Sequence, residues 1–294
     1  MPDITYPVAD SRVPGYLAIP NGDGPWPGVV VIQDVLGMTT DLKRITDRFA
    51  ASGYLALAPA LYRGHGPKIT CMIATIRSHF TGRGAAYDDL LAAREYLIAD
   101  SGCTGKVGLA GFCQGAGFCL QLAPSGLFDA TAPSYAVLPK DVEKLRQSCP
   151  VVASFGANDP IVPRGTGAKL EAVLAKGQVP HDVKEYPDVG HSFMNDHDVP
   201  APIRLVAGIA GMAYSEPEAE DAWQRITSFF AEHLGRDRER ARHRRSDLTL
   251  GPETTEDAQA DDPASVLEPR PNAGSDRLGG NHGEVQCEGK FVVE

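Results

Sequence analysis

The residue best suited to covalent chemistry is Cys113, at the centre of the segment Gly111-Phe-Cys-Gln-Gly115. A short apolar run precedes this segment and a helical pattern follows it, as in a nucleophile elbow with cysteine in place of serine. Glycines are expected on both sides, because a side chain there would collide with the backbone of the sharp turn. The dipole of the following helix favours thiolate over thiol, and the backbone N–H of Gln114 would face a developing oxyanion. Since buried cysteines are often only small hydrophobic residues, the prediction depends on the strand-turn-helix context.

A thiol nucleophile needs a general base and a group that orients the base, and two later segments supply them. Asp159 follows the apolar run 151–155 and precedes a proline, which predicts a position at the carboxyl edge of a sheet. His191 follows the alternating segment 181–186 in the same way. Each signal is weak alone, because aspartate and histidine are common in loops. The order cysteine, acid, histidine is that of α/β hydrolases, so together they predict a catalytic triad.

The loop after the first buried strand, Gln33-Asp-Val-Leu-Gly37, is expected at the same sheet edge. This position predicts a second oxyanion donor, the backbone N–H of Val35. The side chain of Asp34 would point toward the site from this edge. Taken alone, Asp34 is as consistent with a turn or helix-capping residue as with a catalytic carboxylate.

The elements that must position these residues alternate between strands and helices. Continuous apolar runs predict buried parallel strands at 28–32, 54–58, 107–110 and 151–155. Apolar residues at helical spacing predict helices at 40–51, 87–98, 166–175 and 218–234. An antiparallel edge hairpin is expected from 4–8 and 15–19, joined across 11–14. The alternation predicts an α/β fold with a mostly parallel central sheet flanked by helices.

Over roughly residues 1–235 the sequence resembles the dienelactone hydrolase family. The matching motifs are Gln33-Asp34-x-x-Gly37, Gly111-Phe-Cys113-Gln-Gly115, Gly156-x-x-Asp159 and Gly190-His191-Ser-Phe193. The resemblance implies a single-domain α/β-hydrolase fold and hydrolysis of small lactones or carboxylic esters through an acyl-thioester intermediate. It makes Cys113 the nucleophile, His191 the general base and then acid, and Asp159 the residue that orients His191. No cofactor is expected.

Two positions depart from the family pattern. Asp34 stands where the family has a glutamate that helps to control ionisation of the thiol, and its side chain is one methylene shorter. Asn195 stands where dienelactone-cleaving members have an arginine that contacts the substrate carboxylate. The sequence leaves open which arginine, if any, replaces it, and the candidates are Arg63, Arg77, Arg83 and Arg204. Arg77 and Arg83 fall in a segment expected to be a loop. If no cation reaches the pocket, uncharged lactones and esters should be preferred to dienelactone.

Composition argues against several other classes of protein. The chain of 294 residues has a formal net charge of −10, which disfavours nucleic acid as the main partner. It lacks both the roughly 18 uninterrupted apolar residues of a membrane helix and the features of a signal peptide, so we expect a cytoplasmic protein. Its six cysteines do not suggest a disulfide framework, and the histidine and cysteine spacings do not match a zinc site. The expected partner is a small-molecule substrate, and the sequence allows a monomer.

A sharp change of composition marks a boundary at Gly235. The next ten residues read RDRERARHRR, and from there to the C-terminus the only aromatic residue is Phe291. So few large apolar groups cannot offset the entropy of ordering the chain. We therefore predict a hydrolase domain over 1–235 and a charged, disordered tail over 236–294. The arginine run could bind an acidic partner or form a solvated extension of the last helix. Within the predicted domain, the apolar segment 202–214 could cover the mouth of the site or pack in the core.

A non-catalytic function remains an alternative on the same fold. Such a protein would bind a small ligand or sense oxidants through Cys113. The order of the triad residues favours catalysis. Loss of activity on Cys113→Ala, with the fold retained, separates the two interpretations.

Overall fold

A computed structural model describes residues 3–9, 11–62, 68–197 and 211–235 of the chain. Its strands are β1 (Asp3–Val8), β2 (Ser11–Ala18), β3 (Trp26–Ile32), β4 (Leu55–Pro59), β5 (Cys103–Phe112), β6 (Ala130–Ser134), β7 (Val151–Gly156) and β8 (His181–Tyr186). They form one sheet in the order β1-β2-β4-β3-β5-β6-β7-β8. The pairs from β4 through β8 are parallel, whereas β1 with β2 and β2 with β4 are antiparallel. The expected mostly parallel sheet with an antiparallel edge is confirmed.

Six α-helices lie within the described residues, and they connect or follow these strands. They are α1 (Thr40–Ala51), α2 (Lys68–Thr81), α3 (Ala85–Ala99), α4 (Gln114–Leu122), α5 (Thr166–Lys176) and α6 (Glu216–Leu234). Short 3-10 helices occupy Ala123–Ser125 and Val142–Gln147. None of the helices in these ranges is long and apolar enough to span a bilayer. The predicted tail, 236–294, lies outside the described residues.

Burial on both faces of the sheet explains the continuous apolar runs. Val29 on β3 belongs to a core cluster that includes Phe49 of α1 and Phe230 of α6. The next residue, Val30, belongs to a second cluster that includes Leu90 of α3. Successive strand residues point to opposite faces, so both faces of β3 need apolar side chains. These two layers hold the carboxyl ends of the parallel strands, where the candidate site lies.

The structure corrects three details of the predicted elements. The hairpin connection expected at 11–14 is wrong, because Val8 pairs with Ser11 and the strand continues through Pro14. Pro14 lacks an N–H, but its carbonyl accepts from Ala60 at 2.9 Å and so still ties β2 to its neighbour. The central strand β6 and the helix α2 were not predicted. β6 reads Ala-Thr-Ala-Pro-Ser and lacks a β-branched apolar run, although all five residues are buried.

Candidate active site

The candidate nucleophile lies in a strained turn between β5 and α4. Cys113 has φ 52°, a left-handed conformation that costs a non-glycine residue about 1–3 kcal/mol. A Cβ at Gly111 would lie 2.5 Å from the carbonyl carbon of Gly115, and one at Gly115 would lie 2.6 Å from the carbonyl oxygen of Gln33. Neither position can hold a side chain without moving the backbone. The steric reason given for the glycines of the motif is therefore confirmed.

The candidate base and its orienting carboxylate are in direct contact. His191 Nδ1 lies 2.7 Å from Oδ2 of Asp159, and both side chains are buried. The other oxygen of Asp159 accepts the backbone N–H groups of Ile161 at 2.7 Å and Val162 at 2.8 Å. The backbone N–H of His191 donates to Gly211 at 2.7 Å. These contacts fix the ring, since the carboxylate and the backbone of the histidine are both held.

The second ring nitrogen of His191, Nε2, is available for proton transfer. Nε2 is buried and has no hydrogen-bond partner among the described residues. Burial lowers the pKa of His191, but the Asp159 carboxylate and the nearby Cys113 sulfur outweigh it and raise the pKa to about 9. The raised pKa favours the imidazolium form of His191 beside the Cys113 sulfur.

The two residues that carry the candidate oxyanion donors both contact Tyr62. Gln114 begins α4, where first-turn N–H groups have no partner within the helix, and Val35 lies in the turn after β3. The Tyr62 hydroxyl is 3.0 Å from the Val35 carbonyl oxygen and 2.9 Å from Oε1 of Gln114. Its ring packs on Gly37, where an added Cβ would lie 2.9 Å from Cδ2. Tyr62 thus connects the two residues whose N–H groups are predicted to bind the oxyanion.

The carboxylate of Asp34 is engaged on both oxygens. Oδ1 accepts the backbone N–H of Leu36 at 2.7 Å, which is the turn contact that the sequence allowed. Oδ2 lies 3.2 Å from Nε2 of His197. The hydrogen bond with Asp34 raises the pKa of His197 and outweighs its burial, with further contributions from Asp41 and Asp196. Asp34 lines the same cavity as Cys113, and its role in thiol control stays a prediction.

Asn195 belongs to a buried hydrogen-bond network. Its Oδ1 accepts from the Tyr135 hydroxyl, and its Nδ2 donates to Oδ2 of Asp41 at 2.7 Å. Asp41 also pairs with Arg44 at 3.0 Å. The Tyr135 ring in turn packs edge-on against His191, with ring centroids 5.0 Å apart. Because Oδ1 and one N–H of Nδ2 are engaged in this network, the amide of Asn195 is held in the pocket wall and offers a substrate no charge.

A cavity of about 520 Å³ opens onto the nucleophile and the base. Its described lining includes Cys113 and His191 and contains no lysine or arginine. Arg77 lies on α2, so the expectation of a loop there is wrong; Arg77 and Arg83 are exposed, and neither lines the cavity. Arg63 and Arg204, and most of the segment 202–214, lie outside the described residues. Within those residues no three histidine, cysteine or acidic side chains are grouped to hold a metal ion.

Sequence reasoning missed three side chains of this region. Tyr62 and Tyr135 follow β4 and β6 at the carboxyl edge of the sheet. The argument used for Asp159 and His191, that residues just after parallel strands meet at this edge, applies to both tyrosines. It could have identified Tyr62, whose strand was predicted, but not Tyr135, because β6 was not predicted. His197 follows no strand end, and its partner Asp34 is remote in sequence, so no local signal could have identified it.

The fold and the site define a class of protein. An eight-stranded, mostly parallel sheet with a strained cysteine elbow, followed by an aspartate and a histidine at the same edge, is an α/β hydrolase. A sequence profile of the dienelactone hydrolase family matches residues 13–234. The chain belongs to the dienelactone hydrolase family, and its enzyme class is that of the carboxylic ester and lactone hydrolases.

Individual relatives agree with this assignment. A curated protein from Synechocystis, named "Putative carboxymethylenebutenolidase", is 27% identical over 259 residues and covers 79% of this chain and 96% of its own. The crystal structure of a dienelactone hydrolase-like promiscuous phosphotriesterase from metagenomic libraries has TM-score 0.66 at 26% identity, covering 79% of this chain and 98% of that one. That of a "Putative Dienelactone Hydrolase" from Klebsiella pneumoniae has TM-score 0.65 at 24% identity, covering 78% and 97%.

Proposed function

We propose that this protein hydrolyses small lactones and carboxylic esters through a covalent thioester on Cys113. The observation that carries the proposal is the arrangement of His191. One ring nitrogen is 2.7 Å from Asp159, while the other is buried without a hydrogen-bond partner in the described part of the chain, next to the sulfur. A histidine held this way exchanges a proton at one atom only, as a general acid and base requires.

Acylation begins with the Cys113 thiolate. The sulfur attacks the carbonyl carbon, a C–S bond forms, and the carbonyl electrons move onto oxygen. The N–H groups of Val35 and Gln114 hold this oxyanion. When the oxyanion collapses, the C–O bond to the alcohol breaks, and the His191 imidazolium gives its Nε2 proton to the leaving oxygen. In a lactone the alcohol stays attached to the acyl group.

Deacylation returns the enzyme to its starting state. Neutral His191 accepts a proton from a water molecule, and the resulting hydroxide attacks the thioester carbonyl. Collapse breaks the C–S bond, releases a carboxylic acid and restores the thiolate-imidazolium pair. The Asp159 carboxylate stabilises the imidazolium. No group beyond the chain and water is needed for either half-reaction.

Trapping the acyl-enzyme tests this function. With 4-nitrophenyl acetate, the wild type should release a burst of nitrophenolate and carry an acetyl group on Cys113 by peptide mass spectrometry. Cys113→Ala should lose turnover while keeping its circular dichroism spectrum and melting temperature. Turnover that persists in Cys113→Ala would refute the nucleophile. A wild type that binds esters without turnover would favour the ligand-binding or oxidant-sensing alternative.

Alkylation measures the state of the thiol directly. The Cys113 thiolate should react with substoichiometric iodoacetamide before the other cysteines, since thiolate and not thiol is the nucleophile. Mapping by peptide separates it from Cys287, which lies outside the described residues. The labelling is repeated with a substrate analogue bound, so that a thiol that ionises only in the complex is also detected.

A further inference from the structure

The mouth of the catalytic cavity concentrates the exposed apolar surface of the described residues. Nine of their large apolar side chains are substantially exposed. Five of the nine line this one cavity, namely Val35, Leu36, Ile161, Met212 and Tyr214. Exposed apolar side chains scattered singly need no explanation, but a cluster in one concave site marks a ligand surface.

The polar part of the same lining carries negative charge. Asp34 and Asp196 lie in the lining, and Asp41 lies behind His197. Arg44, which is outside this lining, pairs with both Asp41 and Asp196, so three acids face one arginine and one histidine.

Two histidines in the described lining can carry charge, and each has a carboxylate partner: His191 lies 2.7 Å from Asp159, and His197 lies 3.2 Å from Asp34 and 4.0 Å from Asp41. Their charges are already matched by carboxylates. A substrate carboxylate entering this cavity would lose water and would find, among the described lining residues, no cation without a carboxylate partner, which is strongly unfavourable.

We propose that the cavity is a subsite for an apolar, uncharged acyl or alkoxy group, and that it rejects esters and lactones that carry a carboxylate. This inference rests on the proposed hydrolase function and specifies its substrate class. The cavity volume of about 520 Å³ lies within the 300–1,000 Å³ of sites that hold drug-sized ligands. The site thus has room for a chain of several carbons beyond a small lactone ring.

Matched esters test the subsite in the wild type. kcat/KM is measured for 4-nitrophenyl acetate, butanoate and hexanoate, and for the 4-nitrophenyl monoester of succinate, whose acyl group is that of butanoate with the terminal methyl replaced by a carboxylate. A fully buried methylene is worth about fourfold, so partial burial should give an increase of about tenfold or more from acetate to hexanoate. Butanoate should exceed the succinate monoester by at least about tenfold. Ethyl, butyl and hexyl acetates test the alkoxy side.

A gain-of-function variant makes the test independent of folding defects. Ile161→Arg places a cation at the exposed rim, and we expect it to raise the succinate-to-butanoate ratio of kcat/KM at least about tenfold. Leu127→Arg is the matched control, because Leu127 is also exposed and does not line the cavity. Asn195→Arg is unsuitable, since it would break the buried contacts with Tyr135 and Asp41.

The outcomes separate this inference from the function on which it rests. A length preference in either series, with a ratio shifted by Ile161→Arg alone, supports the subsite and shows which side of the ester it binds. The inference would be overturned if kcat/KM did not change with chain length in either the acyl or the alkoxy series. It would also be overturned by equal kcat/KM for butanoate and the succinate monoester, or by equal shifts of their ratio in the two arginine variants. If acetate is still hydrolysed through Cys113 in those cases, the hydrolase function stands.

Discussion

Nε2 of His197 lies 3.2 Å from Oδ2 of Asp34, on the wall of the cavity that holds Cys113. The family pattern places a carboxylate at this position for control of the thiol. Here the carboxylate is shared between the Leu36 N–H and an imidazole. The shorter aspartate is therefore committed to its own loop and to His197, and two predictions follow from this geometry.

Removing the imidazole should cost stability in a pH-dependent way. The pKa of His197 is raised by Asp34, so the pair stabilises the fold fully below the ordinary histidine pKa of about 6.5 and less as pH rises through the raised value. We expect His197→Gln to lower the free energy of unfolding by about 1–2 kcal/mol at pH 6 and by clearly less at pH 9. Urea unfolding at both pH values measures this, with His181→Gln on β8 as control. Equal losses at the two pH values would contradict the charged pair.

Neutralising Asp34 should leave the resting thiol almost as reactive as before. Both carboxylate oxygens already have partners, so Asp34→Asn should change the rate of Cys113 alkylation by less than about threefold. Stopped labelling with iodoacetamide, followed by peptide mapping, gives the rate, and Asp196→Asn is the control at the same cavity. A tenfold fall confined to Asp34→Asn would show that Asp34 does govern ionisation of Cys113.

Tyr62 should act on the rate and not on substrate affinity. Burial raises the pKa of Tyr62 to about 12, so its hydroxyl keeps its one proton throughout the working pH range and can donate it to the Val35 carbonyl or to Gln114 Oε1. Tyr62→Phe keeps the ring against Gly37 but frees the two oxyanion residues from each other. Losing a whole oxyanion donor costs 10²–10³ in kcat, so loss of positioning should lower kcat about tenfold.

A matched tyrosine controls for the loss of a hydroxyl. Tyr54 donates to the Thr227 carbonyl at 3.2 Å, away from the cavity. Tyr54→Phe should leave kcat and KM for 4-nitrophenyl acetate unchanged, whereas Tyr62→Phe should change kcat with little effect on KM. If Tyr62→Phe raises KM and spares kcat, Tyr62 contacts substrate and does not position the oxyanion hole.

Local sequence patterns predicted the parts of this site that are set by a strand and the turn after it. The glycines around Cys113 and the runs before Asp159 and His191 carry such information, because strand ends of a parallel sheet meet at one edge. Asn195 pairs with Asp41, 154 positions away, and His197 pairs with Asp34. Both contacts depend on tertiary packing of the segment after β8 against α1 and the loop that precedes α1. The hydrophobic periodicity of a sequence carries no information on such long-range pairs. The strand β6 was missed for a different reason: its sequence, Ala-Thr-Ala-Pro-Ser, has low strand propensity, and its place inside the sheet overrides that propensity.

The chain after Gly235 should be dispensable for the fold and the reaction. α6 closes the core with Phe230 and Leu234, which are 0% and 2% exposed. A chain ending at Gly235 should melt within about 2 °C of the full chain, since about 1 kcal/mol corresponds to 2–4 °C at this size. Calorimetry and turnover of 4-nitrophenyl acetate provide the comparison. A larger fall in melting temperature would place part of 236–294 in the folded core.

The pH dependence of turnover should be governed by the contact between Asp159 and His191. The pKa of His191 is lowered by burial and raised to about 9 by Asp159 and the Cys113 sulfur, so the imidazolium that protonates the leaving group should persist to about pH 9. In Asp159→Asn the carboxylate that favours the protonated ring is gone, and the pKa of His191 must fall. We expect kcat to drop on the order of 10⁴-fold, as in serine triads, and the alkaline limb of kcat/KM to move to lower pH. Because sulfur and imidazole titrate together, the limb reports the pair, and single-turnover acylation from pH 6 to 10 is the measurement. If the alkaline limb stays in place in Asp159→Asn, another group sets the pKa of that limb. The role assigned to Asp159 would then be wrong.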